Sequence, residues 1–228
     1  MTQIPYQIAI DGPASSGKSS VGKRIAARLG YLFFDTGLVY RTATVAALNH
    51  GEMLPEKSEI IRRVEMMNFE LRENEDRSET RIFLNDEDCT DDLHSPLIDA
   101  NVSAVAAIPE VRASLTQHQR RIGLNGRVVL VGRDIGTVVL PEAELKIYLD
   151  ASAEVRAARR QAENEKNQIE TRYEDVLSNI RLRDENDSKR AVAPLAAAAD
   201  AIIIHTDNLD LNGVVDAILS HIPVITEG

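Results

Sequence analysis

Gly12-Pro13-Ala14-Ser15-Ser16-Gly17-Lys18-Ser19 fits the pattern G-x-x-x-x-G-K-[ST], and its flanks give that pattern physical meaning. Before it, Tyr6-Gln7-Ile8-Ala9-Ile10 is a short apolar run that reads as a buried strand. After it, Val21, Ile25, Ala26 and Leu29 recur at helical spacing. Strand, glycine loop, helix is the arrangement in which successive backbone N–H groups and a helix N-terminus point at one anion. In such a loop Lys18 reaches the β- and γ-phosphates of a nucleotide, the Ser19 hydroxyl helps hold Mg²⁺, and Ser20 continues the helix start. The plain alternative is a glycine turn capped by Ser15 or Ser16.

Working outward, four more runs read as buried strands: Tyr31 to Phe34, Val128 to Val131, Lys146 to Leu149 and Ala201 to His205. Helical patterns over Ser16 to Leu29, Val39 to Asn49, Ile98 to Ile108, Val111 to Ile122 and Ala153 to Glu163 separate most of them. β-branched runs divided by helices predict a parallel sheet covered on both faces, with ligands gathered at the carboxyl ends of the strands. Those ends carry Asp11-Gly12, Asp35-Thr36-Gly37, Gly132-Arg133-Asp134, Asp150 and Thr206-Asp207.

Two stretches break the rhythm. Met67 to Leu71 and Arg81 to Asn85 are strand-like and flank the charged link Glu73 to Glu79, which predicts an inserted antiparallel hairpin over 64–92. Arg156 to Arg172 is dense in charge and follows the fourth strand, where a phosphate-transferring protein would carry a lid; a solvated helix is the plain alternative.

Composition narrows the classes. The chain has 228 residues, 43% of them hydrophobic, enough for a real core, and a formal charge of −10 that disfavours nucleic acid and anionic membrane as partners. The single Cys89 excludes an internal disulfide, suits a reducing compartment and sits beside Asp88, Asp91 and Asp92, which disfavour a reactive thiolate. No signal-peptide pattern opens the chain and no apolar run is long enough to span a bilayer, so the expected location is the cytoplasm. His50, His94, His118, His205 and His221 have no metal or triad spacing.

Against that acidic background the basic residues near the strand ends stand out. Tyr40-Arg41 follows the second strand, Ser103 and Arg112 flank Pro109, and Arg181-Leu182-Arg183-Asp184 precedes Asp187 and Lys189-Arg190. A helix would place Arg183, Asp187 and Arg190 on one face. Several guanidiniums converging on one edge repel each other unless anions fill the space, and a phosphorylated second substrate supplies those anions. Phosphoryl transfer depends on positioning and charge neutralisation, and a phosphate acceptor needs no base. Asp35 leaves alternatives open: it could act as base toward a hydroxyl acceptor, hold Mg²⁺-bound water, orient an arginine or cap a turn. A nucleotide sensor without turnover is a further alternative, but it leaves the second arginine cluster unexplained.

The chain resembles bacterial-type cytidylate kinases over nearly its whole length. The likeness rests on Ile10 to Ser19, on Asp35-Thr36-Gly37 with Tyr40-Arg41, and on Val131-Gly132-Arg133-Asp134-Ile135-Gly136-Thr137. It continues in Arg183-Asp184 and in Arg190-Ala191-Val192-Ala193-Pro194-Leu195, followed by Ala199-Asp200-Ala201. It implies an α/β P-loop NTPase three-layer fold. The parts would be a five-stranded parallel sheet, a small inserted antiparallel β unit at 64–92 and a mobile helical lid at 156–174, all within one kinase domain spanning 1–228.

The resemblance also implies roles. Gly12, Pro13, Ala14, Ser15, Ser16, Gly17, Lys18, Ser19 and Ser20 would bind ATP, with Mg²⁺ at Ser19. Thr36, Arg112 and Asp134 would read cytosine with Arg190 nearby, Asp35 belonging to the same side. Arg41, Arg133 and Arg190 would surround the monophosphate, and Ser103, Arg183 and Asp187 the sugar, a pattern that admits CMP and dCMP. Lys18, Arg133, Arg159 and Arg181 would neutralise the transferred group. The implied partners are ATP and CMP or dCMP, with no nucleic acid or membrane, and the implied state is a monomer. Thr36 stands where many relatives have Ser, and Ala14-Ser15-Ser16 where others have Ser-Gly-Ala; the hydroxyl and both motif glycines are retained. Asp134 could accept from the cytosine amine and Arg112 could donate to O2 or N3, whereas uracil would set a carbonyl against Asp134. An unmatched buried polar pair costs about 1–3 kcal/mol, which implies partial to strong rejection of UMP.

Overall fold

The computed structural model describes residues 4–73 and 80–223. The chain divides into two compact units, one made of 1–35 with 119–228 and the other of 36–118.

The first unit is built on five strands: β1 (Gln7–Asp11), β2 (Leu32–Asp35), β6 (Val128–Gly132), β7 (Leu145–Asp150) and β8 (Ile202–His205). They pair in the order β2-β6-β1-β7-β8, every pairing parallel. All five expected strands are present, each within a residue or two of its predicted bounds. Ile8 and Ile10 face helix α1 (Lys18–Leu29) and helix α8 (Leu211–Leu219), forming one core with Val21, Ile25, Val129, Val131, Ile147, Leu149, Val214, Val215 and Ile218. Full burial of each such side chain stabilises by about 1.5–3 kcal/mol. The opposite face of β1 meets a single π-helical turn, Ile135–Val139, through the Asp11 carboxylate. Only the edges of the sheet show: Leu32 on β2 and Ile203 on β8 are about half exposed.

The register brings the strand ends together. Asp11 pairs with Gly132 and Tyr148, Asp35 with Val131, and Asp150 with His205, so the polar ends line one edge as the sequence predicts. The unit also holds α6 (Ala153–Lys166) and α7 (Tyr173–Lys189), which pack through Ala157, Val176 and Ile180. These two helices and the 167–172 connection occupy the stretch expected to be a lid.

The second unit contains α2 (Thr36–Leu48), α3 (Lys57–Met66), α4 (Pro96–Ala106) and most of α5 (Pro109–Leu124). Its small sheet has the antiparallel order β3-β4-β5, from β3 (Phe69–Glu73), β4 (Thr80–Leu84) and β5 (Glu87–Asp88). The predicted hairpin is thus two strands of a three-stranded sheet; its charged link, at 74–79, lies outside the described residues. Ile82, Cys89 and Leu93 form a small core beneath it.

Candidate active site

The phosphate loop is shaped by two glycines. Gly12 has φ +149°, and a Cβ there would stand 2.3 Å from the Leu149 carbonyl oxygen, so no larger residue fits. Gly17, at φ +94°, starts α1 with no capping side chain, whereas Ser95, Ser152 and Asp210 cap α4, α6 and α8. The first turn of α1 therefore carries no side-chain oxygen in competition with an anion for its amides. Lys18 is buried and donates to the Pro13 carbonyl at 2.5 Å and to Ser16 Oγ at 3.2 Å. Burial, reinforced by the Arg133 charge, holds its pKa well below the usual lysine range. Ser19 and Ser20 are exposed on the helix start, and the Ser19 hydroxyl donates to Asp35 Oδ2 at 2.5 Å.

Behind the loop, Asp11 organises the turn after β6. Its two carboxylate oxygens accept from the Ile135 and Gly136 amides, each at 2.7 Å. Burial raises its pKa to about 6, against those two amides and the Lys18 charge and with the Asp134 charge in support. The turn so held presents Arg133 and Asp134. Arg133 Nε donates to Asp187 Oδ2 at 2.6 Å, and its Nη1 to the Gly12 carbonyl at 3.3 Å. Arg190 stands 3.8 Å from Asp187 and 3.6 Å from Asp134, all three side chains nearly buried. Burial alone would raise the Asp187 pKa; the charges of Arg133, Arg183 and Arg190, with the Arg133 hydrogen bond, hold it below the usual range instead.

This cluster corrects two expectations. Arg190 does not share a helix face with Arg183 and Asp187, because α7 ends at Lys189 and Arg190 is extended at φ −63°, ψ 142°. The Leu195 amide bonds the Asp187 carbonyl at 2.8 Å and the Arg190 guanidinium donates to the Ala193 carbonyl, so the chain turns back over the helix end. Nor do the guanidiniums wait on an outside anion: Asp187 and Asp134 already stand among them.

The arginines expected in the lid or at the transferred group divide into three kinds. Arg156 is buried and donates to the Ala14 carbonyl of the phosphate loop, to the Ala151 carbonyl and, through two nitrogens, to Asp184 at 3.1 and 2.6 Å. It pins α6 and α7 to the loop, a role the sequence did not disclose because Arg156 counts there as one more charge in a charged run. Arg159 reaches the Thr206 hydroxyl at 3.0 Å and the Thr206 carbonyl at 2.6 Å, beyond the end of β8. Arg181 pairs with Glu154 in the open.

In the second unit, Thr36 opens α2 and is buried. Arg41 is buried one turn on, donating to the Leu93 carbonyl at 2.6 Å and to Asp99 at 2.5 Å. Arg112 on α5 is buried, donates to the Ala106 carbonyl at 3.1 Å and lies 5.1 Å over the Tyr40 ring. Ser103 lies on α4, half-buried. Helix packing thus brings Arg112 of α5 over Tyr40 of α2, a residue far from it in sequence.

Ser19 and Asp35 are hard oxygen donors of the kind that suits Mg²⁺. Among the described residues no group of three His, Cys, Asp or Glu side chains could hold a metal, and no helix is long and apolar enough to cross a membrane.

A family model described as cytidylate kinase matches residues 8–224. Cytidylate kinases of Streptococcus pyogenes serotype M5 (strain Manfredo) and serotype M49 (strain NZ131) are each 48% identical to this chain over 212 residues, 93% of both lengths. A gluconokinase from Sinorhizobium meliloti 1021 superposes at a TM-score of 0.48 with 16% identity, over 96% of this chain and 91% of that one, too distant to bear on substrate. With a match spanning the phosphate loop, the Gly132–Thr137 turn and the arginine-bearing helix end alike, the chain belongs to the cytidylate kinase family.

Proposed function

We propose that this chain transfers the γ-phosphate of Mg·ATP to CMP or dCMP, giving ADP and CDP or dCDP. The observation that carries the reading is 48% identity to cytidylate kinases sustained over 93% of the chain. An oxygen of the acceptor phosphate attacks the γ-phosphorus, and the bond from that phosphorus to the β,γ-bridging oxygen breaks, leaving ADP. The acceptor is already anionic near neutral pH, so no base is required.

Residues Gly12 to Ser20 cradle the ATP phosphates in this reading, their amides and Lys18 facing the charge. Mg²⁺, when bound, supplies charge neutralisation on the β- and γ-phosphates, and Ser19 would hold it. An approaching phosphate raises the lowered Lys18 pKa and so favours its charged form, because the anion offsets the penalty for charging a buried amine. Arg133, already fixed by Asp187 and the Gly12 carbonyl, would bear on the transferred group together with Arg159 and Arg181. Arg41, Arg133 and Arg190 would hold the acceptor phosphate. Thr36, Arg112 and Asp134 would read the base, and Ser103, Arg183 and Asp187 the sugar, with Asp35 beside them. The reading also makes the chain cytoplasmic, which its lone buried cysteine suits, and a monomer, as the family resemblance implies.

The test is a coupled ADP-release assay with Mg·ATP and, separately, CMP, dCMP, UMP, AMP and cytidine. Release with CMP and dCMP, little with UMP or AMP and none with cytidine is the expected pattern. Turnover of cytidine but not CMP would make the chain a hydroxyl kinase with Asp35 as base. Silence with all five would leave a nucleotide sensor.

A further inference from the structure

We propose that Asp35 is a metal-positioning residue of the phosphate loop: its carboxylate orients the Ser19 hydroxyl for Mg²⁺ and accepts from water bound to the ion. This rests on the donor half of the proposed function, the binding of Mg·ATP at Gly12 to Ser20, and assigns Asp35 to the metal instead of the acceptor.

The first ground is the direction of one hydrogen bond. The Ser19 hydroxyl donates to Asp35 Oδ2 at 2.5 Å, so its proton is engaged by a carboxylate and its lone pairs are directed elsewhere. A hydroxyl that donates to an anion is a better oxygen ligand for a hard cation, since the carboxylate fixes its rotor and raises its electron density. Ser19 is exposed and Asp35 half-buried, so water and ion reach both.

The second ground is where the other carboxylates go. β6 is the strand hydrogen-bonded to β1, and it ends in Gly132 followed by Arg133, a cation and no metal ligand. Both oxygens of Asp11 face the Ile135 and Gly136 amides. Asp184 is engaged by Arg156, and Asp187 by Arg133. The carboxylate that meets the loop's own hydroxyl comes instead from β2, the next strand out, through the parallel register that sets Asp35 opposite Val131. The Asp35 charge also acts on Lys18 and Arg133, so it stands inside the field that would hold the phosphates. A residue in that place reaches a metal through its water shell, because Mg²⁺ keeps several waters when bound by one protein oxygen and nucleotide phosphates.

The experiment titrates Mn²⁺ into the full-length protein with the non-hydrolysable analogue β,γ-imido-ATP, reading free Mn²⁺ by electron paramagnetic resonance. A parallel calorimetric titration measures the same nucleotide in EDTA. D35N should weaken Mn²⁺ in the ternary complex by about 10–100-fold, the usual loss when a group supporting a metal ligand is removed, and leave metal-free nucleotide binding within about twofold. D35E, which restores a carboxylate, should recover part of the loss, and matching circular dichroism spectra show that both variants fold. Unchanged Mn²⁺ affinity in D35N would overturn the proposal, and a simultaneous fall in CMP affinity would return Asp35 to the acceptor. Failure of the wild type itself to bind the nucleotide would overturn the donor reading, and this inference with it.

Discussion

Replacing Asp187 by Asn tests whether the arginine cluster is held together by its own acids. Asp187 is buried between Arg133, at 2.6 Å, and Arg190, at 3.8 Å, with Arg183 adding its charge. Removing one partner of a buried ion pair costs about 3–5 kcal/mol because the other charge stays desolvated and uncompensated. Asn keeps an oxygen that can accept from Arg133 Nε, and Arg133 also donates to the Gly12 carbonyl, so the cost falls to just below that range, about 2–3 kcal/mol. For a chain of this length that lowers the melting temperature by about 5–10 °C. Differential scanning calorimetry in a buffer without multivalent anions reads it, and resolves the two units if they melt apart. Two controls make the reasoning specific. Added sulfate should raise the D187N melting temperature more than that of the wild type, since an anion can replace the missing charge. The gap between the proteins should also close in acid: the depressed Asp187 pKa gives stability that is full above the ordinary carboxylate range and lost as pH falls through the folded value. A D187N protein melting within about 2 °C of wild type at neutral pH, with no differential rescue by sulfate, would refute the account.

Three further outcomes follow from the buried titrating groups. Nucleotide binding should take up protons on the alkaline side of neutrality, because burial lowers the Lys18 pKa and an arriving phosphate raises it again; calorimetry in buffers of different ionisation enthalpy measures the uptake, and a count of zero across the alkaline range would contradict the Lys18 assignment. Asp11, raised from 3.8 to about 6, should cost roughly 3 kcal/mol of stability between pH about 4 and pH about 7, with the full stability present on the acid side. Urea unfolding across that range should show D11N with a flatter profile than wild type, while D11N loses turnover through the freed Gly132–Gly136 turn. Cys89, buried with its pKa raised to about 11 by burial and then by Asp88 and Asp92, should react with iodoacetamide at pH about 8 on the order of a hundredfold slower than an ordinary thiol; labelling at the ordinary rate would place it at the surface.

The parallel sheet is legible because its strands are short apolar runs that end in Asp or Gly and are separated by helical spacing. What escapes is the helices whose pattern is modest. α3 shows only Ile60 and Val64 to the core, and its surface is fixed by Glu59 bonding Arg62 and Arg63 three and four residues on. α8 does carry Leu211, Val214, Val215 and Ile218 at helical spacing behind the Asp210 cap, which accepts from the Gly213 amide, but at nine residues the pattern is short. The third strand of the small sheet is two residues long, below anything periodicity can register. In the candidate site, the loop residues are legible because a motif needs fixed spacing along the chain. Arg156 is not: its function depends on the Ala14 and Ala151 carbonyls and on Asp184, twenty-eight residues away, and no local pattern separates it from Arg160, which pairs on the surface with Glu163.

The arginine cluster shows why residue types alone mislead about charge. Counting guanidiniums near one sheet edge suggests a positive hollow that needs an anion to exist. In the fold Asp187 and Asp134 come with them, so the cluster is stable by itself and differs from a hollow in what a ligand must do. In the proposed function a phosphate entering here would compete with carboxylates already in place for the same N–H donors, so part of its attraction would be offset by contacts it displaces. Binding strength then falls short of what the arginine count promises, although a dianionic phosphate can still outbid a single carboxylate for two guanidiniums, whereas a neutral hydroxyl group cannot. In the proposed function D187N, which removes one of those competing carboxylates, should therefore widen the ratio of CMP to cytidine affinity even where it weakens the fold; an unchanged ratio would take the acceptor phosphate away from this cluster.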